Sequence, residues 1–346
     1  MKLTKSFIAS NTVKDISFQI PAVQRLAEGL SCMKWWIKEI KGKSPDIEQT
    51  RKFFATFQVT SPEAFTNLVV RTGIDILTYG ISTYKIERPT HIMSGKFQIE
   101  RLLAEKLELS ANWSPHSNAD IPAYVYQTVC PNRVDLLFLK QVMVIGIAPE
   151  VPYELQISPM EMVIISMAHC LGMKNIRCAV VDTPEGLDKL RGIKLKRNEH
   201  YYLPSFVELQ ERLKPLFDSA SPEHKEKLRF HLIHSPSPLI TPASVGESSP
   251  FLKTQGDNEY KEWLSKVAIA GLTYIMCESY EQHGYCLQPS IQRALLQEGY
   301  SIQEAEIVNN MAIGISTALN SYILRDFDCR FSFENESQHH AEVSSV

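Results

Sequence analysis

The sequence predicts an all-α protein, arranged as a helical bundle, a helical core and a helical C-terminal region. Three observations support this fold class. Apolar residues recur at helical spacing through much of the chain, and 44% of all residues are hydrophobic. Several of the apolar segments begin with Ser followed by Pro or Glu, as helices often do. The chain can therefore bury apolar cores between helices.

Residues 1–93 are predicted to form the N-terminal helical bundle. Apolar residues follow helical spacing over Val23–Trp36, Ile47–Phe57 and Ala64–Leu77. Ser61 and Pro62 precede the last of these segments. A serine oxygen accepts a hydrogen bond from a free amide at a helix start, and proline suits the first turn. This pattern predicts that a helix begins close to Ser61.

Residues 94–198 are predicted to form a second helical region with very apolar faces. Such faces are typical of helices buried against one another. The predicted helices are Phe97–Leu109, Pro122–Val129, Val134–Ile145 and Pro159–Leu171. A short β-like run, Cys178–Val181, follows them without an evident partner strand.

The C-terminal region, residues 199–330, is also predicted to be helical. Its predicted helices are Phe206–Phe217, Glu223–His234, Glu259–Gln282 and Ser301–Leu324. Residues 235–250 are rich in Pro and Ser, which predicts a linker or a long surface loop. Residues 331–346 are predicted to be a polar tail.

Charge and cysteine content exclude several classes of protein. A net charge of −3 argues against nucleic acid as a partner, because such binding depends on neutralising phosphates. The seven cysteines are odd in number and form no CxxC pair, which argues against a disulfide framework or a zinc site. We therefore predict reduced thiols in a cytoplasmic protein without metal or cofactor. No signal peptide and no transmembrane helix are predicted.

Asp120 is the main candidate for a functional carboxylate. It lies in a turn-rich segment, and Pro122 fits the first position of a helix. The carboxylate would then lie near the positive end of that helix. An Asp at a helix start needs no further role, however, because exposed amides favour it there.

The segments around Asp120 resemble the core of Vps-nine domains, which strip nucleotide from Rab GTPases of early endosomes. The resemblance covers about residues 95–175 and depends on the order of its motifs. One Asp stands where the family has two, and Gln156 replaces Thr or Ser. The matching segments are Ala119-Asp120-Ile121-Pro122, Cys130-Pro131-Asn132, Leu136–Ile145, Tyr153-Glu154-Leu155-Gln156 and Met162–Ile165.

This resemblance implies a guanine-nucleotide exchange factor that promotes GDP release from an early-endosomal Rab GTPase. Asp120 would be the acidic finger that enters the nucleotide pocket and competes for the charges around magnesium and phosphate. The resemblance implies no making or breaking of covalent bonds. The residues implied to contact the GTPase are Pro122, Asn132, Tyr153 and Gln156.

Divergence from the family suggests a bacterial effector that acts at host endosomal membranes. The polar tail, residues 334–346, is similar to tails used as type IV secretion signals. Two surfaces suggest weak membrane contact: the basic run Lys189–Arg197 and the pair Trp35-Trp36 with nearby lysines. Solvated charged faces explain both patterns more simply.

Two alternatives to nucleotide exchange remain. One is a helical scaffold or adaptor that binds a partner without catalysis. The other is a Cys-dependent hydrolase built around Cys277 and His283, close to Cys286. The same three residues suggest a metal site, but no fourth ligand of suitable spacing is evident. Buried thiols at a helix end are the simplest explanation for the two cysteines.

Overall fold

The computed structural model shows a mostly helical chain that also contains small antiparallel sheets. The chain divides into two compact units. The first comprises Met1–Lys2, Ala27–Gln156 and Tyr285–Val346, and the second comprises Leu3–Leu26 and Ile157–Gly284. The structure describes residues 16–17, 20–39, 45–59, 61–87, 98–103, 106–110, 118, 120–128, 133–146, 158–173, 206–233, 257–278, 289–322 and 329–334.

The described helices and strands occur in successive groups along the chain. The described α-helices are α1 (Pro21–Glu28), α2 (Ile47–Thr56), α3 (Pro62–Tyr79), α4 (Pro159–Cys170), α5 (Phe206–Asp218), α6 (Pro222–Ile233), α7 (Asp257–Thr273), α8 (Pro289–Gln297) and α9 (Ile302–Tyr322). The described strands are β1 (Lys34–Glu39), β2 (Pro45–Asp46), β3 (Ile81–Glu87), β4 (Gln98–Leu102), β5 (Leu107–Leu109), β6 (Tyr124–Gln127), β7 (Val134–Leu137), β8 (Val142–Gly146) and β9 (Cys329–Glu334).

The mainly helical class is confirmed, and seven of the predicted helices are present. They are α2, α3, α4, α5, α6, α7 and α9. In α3 the Ser61 hydroxyl accepts a hydrogen bond from the Ala64 amide at 3.1 Å. Gly80 ends this helix with a φ of 80°, and its amide donates to the Ile76 carbonyl at 2.9 Å. Local capping chemistry therefore sets both ends of α3.

The all-α prediction is wrong where apolar runs form strands. The predicted helix Phe97–Leu109 is replaced by β4 and β5, Pro122–Val129 by β6, and Val134–Ile145 by β7 and β8. The predicted helix Val23–Trp36 ends at Glu28 and continues through a 3-10 turn into β1. The reason is visible in β8, where all five residues are buried, so the run has no alternation to mark it as a strand.

In the first unit, β3 is the central strand of the sheet β4-β3-β8. Both pairings are antiparallel, with Thr83 opposite Leu102 and opposite Val144. Helix α3 packs against β3, and α9 packs against β8. Buried apolar side chains of α3 and of these strands form much of the core of this unit.

A second sheet of the first unit has the order β5-β6-β7 and is antiparallel. One of its faces is buried through Leu107, Tyr124 and Leu137. These side chains belong to one apolar cluster with residues of the first sheet, namely Ile81, Leu102, Val142 and Val144. The two sheets are therefore joined by a shared core.

A third sheet, β2-β1-β9, joins segments that lie far apart in the sequence. Its register places Trp35 opposite Phe333 in antiparallel pairing. Strand β9 includes residues 331–334 of the predicted polar tail. Trp35 is buried and its ring nitrogen donates to the Leu30 carbonyl at 3.4 Å, so it is not available for the membrane contact suggested above.

The second unit is centred on α4, whose residues from Pro159 to Ala168 are all buried. This helix packs against α5 and α7. A Cβ at Gly271 of α7 would lie 2.7 Å from Cγ2 of Val163, so the absence of a side chain permits close approach of the two helices. Helix α7 continues into a π-helical turn, Tyr274–Glu278.

Several predictions concern residues outside the described ranges. These are the short strand Cys178–Val181, the basic run Lys189–Arg197 and the loop 235–250. The predicted domain boundaries at 93, 198 and 330 stay a prediction. Among the described residues, no helix has both the length and the apolar character needed to cross a membrane.

Candidate functional site

Asp120, the predicted acidic finger, is exposed and lies in a turn. The amide of Ile121 in this turn donates to the Asn118 carbonyl at 3.0 Å. Pro122 is half-buried and is followed by strand β6 rather than by a helix. The helix that was predicted to begin beside Asp120 is therefore replaced by a strand. The roles of Asp120 and Pro122 lose the support of a helix start and stay predictions.

The other residues predicted from the sequence are mostly not in the described ranges. Asn132, Tyr153 and Gln156 lie outside them, and their predicted contacts stay predictions. Cys277 is half-buried in the π-helical turn, whereas His283 and Cys286 lie outside the described residues. Within the residues that the structure describes, no group of three His, Cys, Asp or Glu side chains is placed to bind a metal ion.

A buried polar cluster of the first unit is centred on Asp75 of α3. Its carboxylate accepts hydrogen bonds from Arg101 Nε at 2.8 Å, from Arg101 Nη2 at 2.5 Å and from Ser82 Oγ at 2.9 Å. Burial alone would lower the pKa of Arg101, but the hydrogen bonds and charge of Asp75 outweigh it and raise that pKa. This cluster joins α3 to β3 and β4 by bonds that satisfy a buried carboxylate.

Tyr84 of β3 extends the same polar layer. Its hydroxyl lies 2.5 Å from Oγ1 of Thr72, which also donates to the Leu68 carbonyl at 2.9 Å. Burial raises the pKa of Tyr84 from 10.0 to about 12. The neutral phenol is therefore the form that the folded protein accommodates.

The stability of the protein is expected to depend on pH through Tyr84. Because its folded pKa lies above its unfolded value, its contribution is complete below pH 10 and is lost as pH rises towards 12. Urea unfolding of the wild type and of Tyr84→Phe should differ by a constant amount below pH 9. Above pH 10 the wild-type advantage should fall by up to about 1.4 kcal/mol per pH unit. Parallel curves across this range would contradict the assignment.

A second polar cluster surrounds the π-helical turn of the second unit. The Tyr274 hydroxyl donates to Glu208 Oε2 at 2.5 Å, and the Arg212 guanidinium lies 5.7 Å from the centre of the Tyr274 ring. Arg212 also pairs with Glu278. These contacts join α5 to the end of α7, which is a structural explanation for the charged groups near Cys277.

The third candidate is the edge of β7 that pairs with no other strand among the described residues, which we call the open edge of β7. Apolar side chains are exposed on this strand and just after it. The side chains of Val134, Leu136 and Leu139 are 58%, 59% and 51% exposed. These three residues, which we call the β7 surface, lie within a span of six positions. Such a concentration of exposed aliphatic side chains is typical of a protein-protein contact site.

The backbone of β7 leaves hydrogen-bonding groups on the same edge. Among the described residues, β7 pairs with β6 and with no other strand. The carbonyls of Arg133 and Leu137 accept from the amides of Thr128 and Ala123, both at 2.9 Å. Because antiparallel bonding alternates along a strand, the amides and carbonyls of Val134 and Leu136 are directed away from β6.

Charged side chains alternate with apolar ones from Arg133, the residue before β7, into the strand. Arg133 Nε lies 3.1 Å from Asp135 Oδ1, and the two residues share the face opposite to Val134 and Leu136. The strand therefore presents a positive charge, an apolar side chain and a negative charge in direct succession. This edge therefore offers outward-directed backbone groups, apolar side chains and charges of both signs for pairing with another strand.

The sequence prediction missed this surface because it placed Val134, Leu136 and Leu139 within the predicted helix Val134–Ile145. The signal was the alternation of Arg133, Val134, Asp135 and Leu136, which has the period of a strand. Leu137, Phe138 and Leu139 follow without interruption and extend the run to a length that a helix would also fit.

Comparison with known proteins gives distant likenesses only. No family model matches the chain, and no curated protein matches it. A chain from the neck of an empty gene transfer agent particle is 12% identical, with a TM-score of 0.41 over 94% of this chain and 82% of that one. A chain from a native gene transfer agent virion is 10% identical, with a TM-score of 0.39 over 97% and 88%. An HK97-family phage portal protein from Corynebacterium diphtheriae is 11% identical, with a TM-score of 0.33 over 94% and 96%.

The resemblance to Vps-nine domains is wrong. Two of the helices on which it depended, Pro122–Val129 and Val134–Ile145, are replaced by strands β6, β7 and β8. The expected nucleotide exchange on a Rab GTPase, the Rab partner and the endosomal location were all inferred from that resemblance. They are withdrawn with it.

Proposed function

We propose that this chain is a non-catalytic structural subunit that binds another protein through the β7 surface. The observation that carries the proposal is the exposure of Val134, Leu136 and Leu139 beside the open edge of β7. The two charged clusters described above are occupied by contacts within their own units. The side chains of the β7 surface are instead exposed.

The physical basis is the cost of leaving this edge in water. Burial of apolar surface contributes about 25 cal/mol per Å², and three exposed aliphatic side chains offer a substantial area. An open strand edge is also a template for pairing with another chain. A partner strand would bond to the outward amides and carbonyls while it covers the apolar side chains.

The similar solved structures are a chain from a particle neck, a chain from a virion and a phage portal protein. The likeness has TM-scores below 0.5, and the proposal rests on the β7 surface instead.

Site-specific photo-cross-linking in the cells that naturally produce the protein tests this proposal. A photoreactive amino acid would replace Leu136 or Leu139 in the full chain. Illumination should give a discrete adduct of higher mass on a gel, because the β7 surface is covered by a protein partner. Mass spectrometry of the adduct then identifies the cross-linked chain.

Ile47 provides the matched control, since it is an aliphatic side chain of the same unit that is 67% exposed and lies on α2. The same probe at position 47 should give no discrete adduct. Equal cross-linking at positions 47 and 139 would show non-specific contact. No adduct at positions 136 and 139 would overturn the proposed function.

A further inference from the structure

We infer that the partner of β7 is β7 of a second copy of this chain, paired antiparallel about a twofold axis at Val134. This inference rests on the proposed function, because it names the occupant of the β7 surface. The sequence Arg133-Val134-Asp135 is self-complementary when it is read in opposite directions. That property points to a second copy rather than to an unrelated chain.

The backbone directions fit this arrangement. The amide and carbonyl of Val134 are directed away from β6, since the carbonyl of the adjacent Arg133 accepts from the Thr128 amide and the bonding direction alternates along the strand. With the axis at Val134, its amide donates to the carbonyl of the partner's Val134, and the reverse bond forms by symmetry. The two three-stranded sheets thereby form one six-stranded sheet.

The side-chain charges select this register. With Val134 at the axis, Arg133 lies opposite the partner's Asp135, and Asp135 lies opposite the partner's Arg133. These are non-hydrogen-bonded pairs, in which the facing Cα atoms are only about 4.5 Å apart. Two ion pairs therefore flank the central Val134 contact.

A shift of the axis by one residue gives a less favourable register. With the axis at Asp135, that carboxylate would lie directly opposite the partner's Asp135. Like charges in directly facing positions destabilise a strand pair. Arg133 would then lose its oppositely charged counterpart across the axis. Charge complementarity therefore favours the register centred on Val134.

Charge reversal tests both the partner and the register. Sedimentation velocity of the purified full chain over a range of concentrations should show a monomer-dimer equilibrium. Arg133→Asp places two acids opposite each other in the dimer, and Asp135→Arg places two bases opposite each other. Each variant alone should raise the dimer dissociation constant about tenfold or more, because two symmetric attractions become repulsions.

An equimolar mixture of the two variants provides the decisive measurement. In a mixed dimer, the new Asp of one chain faces the new Arg of the other, and the remaining native charges also face each other. The mixture should therefore dimerise with a dissociation constant close to that of the wild type. A purely structural effect of either substitution would not be corrected by mixing.

Lys52→Asp and Glu48→Arg are the matched controls, because they make the same charge changes on exposed side chains of α2. Neither should alter dimerisation. Failure of the mixture to dimerise would overturn the register. A wild-type chain that stays monomeric would overturn the second copy as partner, while an adduct with a different protein at Leu139 would still support the proposed function. Loss of both signals would overturn both proposals.

Discussion

Replacing Asp75 with alanine is expected to lower the free energy of unfolding by about 3–5 kcal/mol, the range measured when one partner of a buried ion pair is removed. The substitution leaves the half-buried guanidinium of Arg101 and the buried hydroxyl of Ser82 without their acceptor. Water cannot replace the carboxylate fully at a position packed between α3 and β3. The effect therefore comes from unpaired groups as well as from a lost attraction.

Urea denaturation followed by circular dichroism measures this change. Ser82→Ala, which removes one neutral donor and leaves the ion pair in place, should cost only about 0.5–1.5 kcal/mol. Lys52→Ala, at an exposed ion pair on α2, should have little effect. An Asp75→Ala variant as stable as Lys52→Ala would show that the carboxylate is not the centre of the cluster.

Replacing Phe65 with alanine is also expected to lower the free energy of unfolding by about 3–5 kcal/mol. Phe65 is fully buried on α3, and its ring stacks on Phe54 with centroids 4.0 Å apart and an angle of 11°. Its edge contacts with Phe53 and Phe57 have centroid distances of 6.4 and 5.4 Å. Removal of this ring leaves a cavity between α2 and α3 that three rigid rings cannot fill.

Phe65→Leu separates ring loss from volume loss. It keeps most of the apolar volume and should cost clearly less than Phe65→Ala in the same denaturation experiment. Phe230→Ala, at a partly exposed ring of the second unit, should cost least. Equal losses for Phe65→Ala and Phe230→Ala would contradict the central place of Phe65 in this core.

Helix starts could be predicted from the sequence because their chemistry is local. Ser301 and Glu304 form the expected reciprocal cap of α9. The Ser301 amide donates to Glu304 Oε2 at 2.7 Å, and the Glu304 amide donates to Ser301 Oγ at 3.2 Å. The Ser158 hydroxyl likewise accepts from the Glu161 amide at 3.0 Å, where α4 begins. These bonds involve residues three positions apart.

Strands could not be recognised with equal success because their partners are distant in sequence. The residues of β8 are all buried and lack alternation, so the stretch from Leu136 to Ile145, interrupted only by Lys140 and Gln141, reads as one long apolar segment. The boundary between β7 and β8 depends on the 3-10 turn Leu139–Gln141 and on separate pairing with β6 and β3. Tertiary pairing decided the structure there.

The candidate sites could also be predicted only in part, because their contacts join residues that are distant in sequence. An Asp at position 75, between Ile74 and Ile76, indicates a buried polar contact, but Arg101 is 26 residues away and was expected on a helix. Asp120, in contrast, was selected through a helix that does not form. The open edge of β7 depends on which strands pair with it, and only the folded chain reveals that.

The pairing of β1 with β9 has a consequence for the order of events during synthesis. The first unit needs Cys329–Glu334 to complete its third sheet, whereas the segments of the second unit end at Gly284. Domains generally fold as units while the chain emerges from the ribosome. The second unit can therefore finish folding first, and β1 must wait for β9. Until then the nascent chain keeps an unpaired edge that chaperones can protect.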